Sequence, residues 1–463
     1  MKTNSRMAGT GSLVLFMALA ALVLYAVPAA AQDSTEDRIA TLEEQIETLR
    51  RAIAEMAAQA PDERVAELEQ QIEVLSEEIE KLNLGPAAAE GAEATEGLYG
   101  LGIAASKVYR VEEGLSIGGY GEMVFESYAS KREGGEPTGF GDTIDFLRAI
   151  VYVGYKFDDR WVFNSEIEFE HASTSKSGSA SVEFAYLDYL WKPQLNFRTG
   201  ILLLPMGWLN ELHEPTLFPS AERPYVEQVL IPSTWRENGA GIFGDVGPFS
   251  YRSYVVNGLK GAGFTSNGLR GGRQKGAKAQ AEDFAWTGRL DYTATPGLIV
   301  GVSAYVGNSG QGLLDPSGAT IDARTEILDF HFDWSHRGFR LRGLWAQGDV
   351  GDTARLNAAL GITGSNSIGE RLEGHYLELA YDVLARRGGR ASLSPFVRIE
   401  SIDTQVRVPA GFESDPIFDR EILTWGAAWQ PIDRLVFKVG YQDWTNPGGT
   451  GFDEWNLAMG YLF

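Results

Sequence analysis

The residues with chemistry to offer are charged side chains that recur at every second position through most of the chain. Arg148, Arg198, Arg252, Arg289, Arg340, Arg342 and Lys438 each stand one step out of phase with apolar neighbours, and Glu166, Glu168 and Glu170 alternate with Trp161, Phe163, Ile167 and Phe169. Successive side chains of a strand point to opposite faces, so this spacing gathers charge on one face and grease on the other. Charges of both signs gathered in that way attract and sort ions in water; they do not make or break bonds. Residues that could do so are sparse. There is no cysteine, which excludes disulfides, thiolate metal sites and cysteine nucleophiles. His171, His213, His331, His336 and His375 show no ligand spacing such as HExxH, so no metal is expected. A barrel esterase would need a Ser–His pair on the wall near the rim, and His171 with Ser173 or Ser175 is the one cheap candidate. Gly239 to Gly244 matches the dinucleotide glycine pattern, but no helix follows it. The chain therefore reads as having no catalytic residues and no cofactor.

Composition narrows the class further. The chain has 463 residues, a formal net charge of −23, 54 glycines and 11% aromatic residues. The acidic balance excludes nucleic acid, which needs a basic footprint. A mean hydropathy of −0.16 is too polar for a bundle of membrane helices, but it suits a barrel in which half of every strand faces water. Lys2 and Arg6 precede an apolar run from Leu13 to Val27, followed by Pro28-Ala29-Ala30-Ala31. That order predicts a signal peptide over 1–31, because the run is shorter than the roughly 18 apolar residues of a spanning helix. Ile39, Leu42, Ile46, Leu49, Ile53 and Met56 recur at spacings of three and four, and Val65, Leu68, Ile72, Leu75, Ile79 and Leu82 resume after Pro61. These heptads predict an α-helical coiled coil over 36–84, and so an oligomer; the seam residues lean towards two strands. Residues 85–112 read as a linker, flexible where Ala, Gly and Glu dominate.

From 113 to 463 the alternation repeats in sixteen strand-length segments, the first near 115–128 and the last near 453–463. The connections alternate in length. Asp158-Asp159-Arg160, Lys192-Pro193-Gln194, Pro296-Gly297 and Pro431-Ile432-Asp433 are short, whereas 129–143, 205–238, 259–283 and 349–373 are long. Short turns at one end and long loops at the other mark an outer-membrane barrel. Trp455, Leu457, Met459, Tyr461 and the terminal Phe463 share one parity, a pattern that would invite aggregation on a soluble edge. The fold class is therefore all-β: a 16-stranded antiparallel transmembrane β-barrel with an N-terminal α-helical coiled-coil segment.

With the apolar parity against lipid, the arginines and Lys438 face the lumen beside Glu166, Glu168, Glu170 and other acids that outnumber them. The connection 205–238 contains Trp208, Leu209, Leu230, Ile231 and Trp235, too apolar for a solvated loop. It is expected to fold into the barrel and narrow it, bringing Glu211, Glu214, Glu222, Arg223, Glu227, Arg236 and Glu237 to the constriction. Lys260 to Lys278 holds Arg270, Arg273 and Lys275 with no acid. It reads as a solvated mobile loop by default, with an anion funnel or a site for anionic surface sugars as the alternatives.

Phe146-Leu147-Arg148-Ala149 in the second strand and Glu222-Arg223 in the inward loop carry a resemblance to the phosphate-selective porin O/P family. It extends loosely from Gly119-Tyr120-Gly121 to Phe463, with a similar N-terminal coiled coil. The resemblance implies trimers, passive diffusion and, in some members, an arginine ladder with lysines that selects phosphate. Here the ladder candidates Arg148, Arg198, Arg252, Arg289, Arg340 and Arg342 face at least as many acids, and the inward loop has no lysine. The expected protein is a Gram-negative outer-membrane porin that passes small hydrophilic solutes and ions, phosphate or other anions among them. Its expected partners are outer-membrane lipid, copies of itself in a homotrimer, and peptidoglycan met through a periplasmic coiled coil. The alternative is a structural tether in which the barrel only anchors the rod.

Overall fold

The computed structural model describes residues 97–173, 178–387 and 389–463. The expected signal peptide and heptad rod lie outside the described residues. Within them the alternation builds sixteen strands: β1 (Gly114–Tyr128), β2 (Thr143–Lys156), β3 (Trp161–Glu170), β4 (Ala180–Lys192), β5 (Leu195–Leu203), β6 (Arg236–Val246), β7 (Phe249–Asn257) and β8 (Phe284–Tyr292). The second half adds β9 (Leu298–Gly307), β10 (Thr325–His336), β11 (Phe339–Val350), β12 (Arg371–Tyr381), β13 (Ser392–Arg407), β14 (Asp419–Ile432), β15 (Leu435–Thr445) and β16 (Asp453–Leu462). Each pairs antiparallel with its sequence neighbours, and β1 closes on β16, with Tyr120 opposite Leu462 and Tyr128 opposite Glu454. Closure satisfies every strand edge, the condition for crossing lipid with a sheet.

Side-chain parity follows the sequence pattern. On β16, Trp455 and Leu457 are 47% and 50% exposed, while Glu454, Asn456 and Ala458 between them are buried. Ile117, Trp161, Val255, Trp286, Val397, Ile399 and Trp425 extend the same exposed apolar belt around the wall. So much contiguous apolar surface is unstable in water and suits hydrocarbon.

The inner wall is less polar than alternation alone suggests. Tyr120, Ile150, Tyr152, Phe184, Tyr254, Tyr305, Leu344 and Tyr376 are buried there against Trp208, Leu209, Leu230, Ile231 and Trp235 of the segment between β5 and β6. The lumen thus contains a hydrophobic core, and each large side chain it buries contributes roughly 1.5–3 kcal/mol. That core draws the inward loop to the wall. Arg236 and Glu237 begin β6 rather than ending the loop, and the β12–β13 turn covers 382–391, longer than expected.

The last part of the expected linker is packed. Leu101, Ala104, Ala105 and Val108 are buried, and Lys107–Arg110 forms a turn of 3-10 helix. Asn164 Nδ2 donates to the Ala105 carbonyl at 2.8 Å, and Tyr109 Oη donates to Asp188 at 2.7 Å. Residues 98–110 therefore lie against the inner wall at the short-turn end.

Candidate functional site: the lumenal constriction

Residues 204–235 form the constriction, and a small set of polar contacts fixes their path. Asn210 closes the base, donating to the carbonyls of Leu204 and Trp235 at 2.7 and 2.9 Å and accepting from the Trp235 amide at 2.6 Å. Gly207 turns the chain at φ +64°, where a side chain would be strained. Its amide donates to Asp329 at 3.0 Å, and Arg289 grips its carbonyl. Glu227 accepts from the Trp208 and Leu209 amides, both at 2.7 Å, and from Tyr376 Oη at 2.7 Å. Trp208 is held between the Arg289 and Arg342 guanidiniums, each 5.3 Å from its ring. Further along, Val226 N donates to Glu400, and Arg398 and Lys438 donate to Ser220.

These contacts occupy most of the expected ladder. Arg198 bonds both oxygens of Asp188 at 2.8 and 2.9 Å, with its guanidinium against Tyr186 and Phe243. Arg252 meets Glu211 and Asp291 at 3.1 and 3.3 Å, and Arg289 meets Asp291 at 2.7 Å. Arg340 and Arg342 share Asp333 at 2.6 and 2.8 Å, and both reach the Leu217 carbonyl. Arg236 pairs with Glu183 at 2.8 Å. Lys438 sits over the Phe218 ring at 3.8 Å. Glu170 accepts from Ser179, and Glu166 and Glu168 are buried beneath the loop.

Arg148 and Arg223 stand apart. They line a cavity of about 240 Å³ between the loop and the β1–β3 wall, together with Arg270 and six carboxylates: Glu122, Glu126, Asp145, Glu168, Glu170 and Glu222. Arg148 reaches Glu122 at 3.3 Å, whereas Arg223 makes no ion pair among the described residues. A second cavity of about 170 Å³ shares Glu126, Glu222, Arg223 and Gln228, and runs on to Glu400, Gln442 and Glu454. Burial, then the charges of Glu126 and Glu122, push the Glu222 carboxyl up to about 6.

The basic loop is built rather than loose. Leu259, Phe264 and Leu269 are buried, and Arg270 and Arg273 bind the Ser233 oxygens at the end of the constriction loop. With Lys275 they line a mouth cavity of about 450 Å³. Burial and the neighbouring Arg270 pull Arg273 down to about 9.

Glu183 and His213 belong to this region, and sequence parity missed both. On β4 the inward side chains are Phe184, Tyr186 and Asp188, so Glu183 should point out. A bulge opposite Glu166 and Ile167 breaks the register there, and Glu183 is fully buried inside. His213 has no ligand-spaced neighbour in the sequence, and its partners come from the wall: Glu166 at 3.2 Å and Glu183 at 3.5 Å.

No protein-family model matches the chain. Among solved structures, Salmonella typhi OmpF in complex with daunomycin aligns at TM-score 0.50 and 10% identity, covering 76% of this chain and 98% of that one. The anion-selective porin from Comamonas acidovorans aligns at TM-score 0.48 and 11% identity over 76% and 100% of the two chains. The outer membrane channel DcaP of Acinetobacter baumannii gives 0.48 and 13% over 75% and 97%. At such identities the likeness is one of fold. A protein of Aquifex aeolicus (strain VF5), named only as uncharacterized, is 37% identical over 353 residues, covering 74% of this chain and 78% of that one. At that identity and coverage the chain belongs to the family of the Aquifex aeolicus protein, and its described part has the sixteen-stranded barrel fold of the porins.

Proposed function

We propose that this protein is an outer-membrane porin through which small hydrophilic solutes and ions diffuse passively. The observation that carries the reading is the charged cavity between the inward loop and the β1–β3 wall, inside a barrel whose outer surface suits lipid. Its six carboxylates face three guanidiniums, so the narrow passage favours cations over phosphate. The basic mouth raises the local anion concentration without making the passage anion-selective. Kinship with the phosphate-selective O/P family is part of the proposal. Its support is that Arg148 and Arg223, from the two short motifs, meet on one cavity. A homotrimer, export by a cleaved signal peptide and a periplasmic coiled coil that reaches peptidoglycan complete it. The tether alternative has the packed residues 98–110 in its favour, since they occupy the short-turn end of the lumen. A reversal potential measured across a planar bilayer in a salt gradient tests the reading. Cation preference supports it, anion preference reverses the selectivity assignment, and absence of channels favours the tether.

A further inference from the structure

The His213 site gathers an imidazole and two carboxylates in one buried place. His213 is 2% exposed, and its Nδ1 lies 2.9 Å from the Asn210 carbonyl oxygen. A carbonyl can only accept, so Nδ1 carries the proton and donates it. In the neutral ring Nε2 then presents a bare lone pair, and it faces Glu166 Oε1 at 3.2 Å and Glu183 Oε2 at 3.5 Å. Three acceptor atoms within 4.8 Å of one another call for a proton or a metal ion between them.

The surroundings fit a cation. Glu166 and Glu183 are 0% exposed, and the Oε2 atom of each accepts no hydrogen bond. Among the described residues Arg236 is the guanidinium ion-paired to this trio, and it takes the other oxygen, Glu183 Oε1.

We propose that His213 Nε2, Glu166 and Glu183 bind a divalent transition-metal ion of the zinc class. Ligand atoms about 2.0–2.2 Å from a tetrahedral ion stand roughly 3.3–3.5 Å apart, which matches the spacing of Nε2 from the two carboxylates. One imidazole with two carboxylates selects zinc-class ions over calcium or magnesium, which prefer oxygen alone. The Asn210 carbonyl and Arg236 orient the ligands from outside the shell, as ligands of bound metals require. The ion ties the Asn210–Glu214 stretch of the loop to β3 and β4, so it clamps the constriction in place. This site is separate from the passage, and its loss leaves the channel proposal standing.

The test uses untagged full-length protein extracted in detergent, incubated with Zn2+ and dialysed, with metal content read by mass spectrometry. Wild type is expected to retain about one zinc per chain and Glu183→Gln less than about a tenth of that. Chelation of wild type is expected to expose residues 204–235 to protease while the barrel stays folded. His213→Asn serves as an independent variant should Glu183→Gln misfold. A wild-type protein that retains no zinc, or variants that retain as much as wild type, overturns the proposal and leaves a shared proton at the site.

Discussion

Glu227→Ala isolates what holds the constriction loop. The carboxylate is 1% exposed and accepts three hydrogen bonds of 2.7 Å, two from loop amides and one from Tyr376 on the wall. Truncation leaves all three donors buried without partners, at about 1–3 kcal/mol each. Lumenal water can relieve part of that once the loop shifts, so the net loss of docking is about 3–5 kcal/mol. At 1.4 kcal/mol per tenfold, the displaced loop becomes roughly 100 to 4,000 times more populated. Glu227→Gln keeps an oxygen for the two amides and an amino group facing Tyr376, and should cost about 1 kcal/mol. Single-channel recording reads the effect: larger and noisier steps for Glu227→Ala, near wild-type steps for Glu227→Gln. Proteolysis between 204 and 235 should rise in parallel, with thermal unfolding of the barrel little changed because the strand ladder is untouched. Identical conductance and cleavage in wild type and Glu227→Ala would mean that these three bonds do not hold the loop.

Other expectations follow from the same contacts. Gly207→Ala forces a Cβ to 2.5 Å from Glu227 Oε2 at a φ of +64°, so it should loosen the loop much as Glu227→Ala does, by the same conductance measure. Trp208→Ala removes the ring between Arg289 and Arg342 and should cost about 3–5 kcal/mol of loop docking, read by protease protection. Glu222, raised to about 6, is ionised at pH 7.5 and neutral at pH 5, so cation preference should fall as pH drops through 6, and Glu222→Gln should flatten that step in reversal potentials. Ala105→Pro deletes one of the two amides that bond Glu214 at 2.9 Å. It should free residues 98–110 and raise conductance from the short-turn side.

The wall was legible because its solvent imposes a strict period of two. Trp455, Leu457 and Phe463 report their medium from spacing alone, and the sorting of short and long connections fixed which ends belong together. Parity could not show where register slips. The β4 bulge turns Glu183 inward, and a second irregularity between Glu122 and Val124 interrupts the alternation around Phe146 and Leu147. Nor does alternation distinguish an inward tyrosine meant for water from one meant for packing. Tyr152 and Tyr376 sit on the polar parity, yet both are buried against the loop. The arginines were found by sequence, but their partners were not. Asp333 takes up both Arg340 and Arg342, a fact of cross-strand register rather than residue type. His213 gave no signal at all, since its neighbours come from strands about 30 to 50 residues away in a fold that brings them together.

The proposed route takes water, and ions with it, through this barrel past Arg148 and Arg223. Planar-bilayer recording of the purified full-length protein tests it most directly. Discrete ohmic steps are expected, with a cation-favouring reversal potential that Arg223→Ala makes more cation-selective. A folded barrel that inserts into the bilayer and passes no current would contradict it.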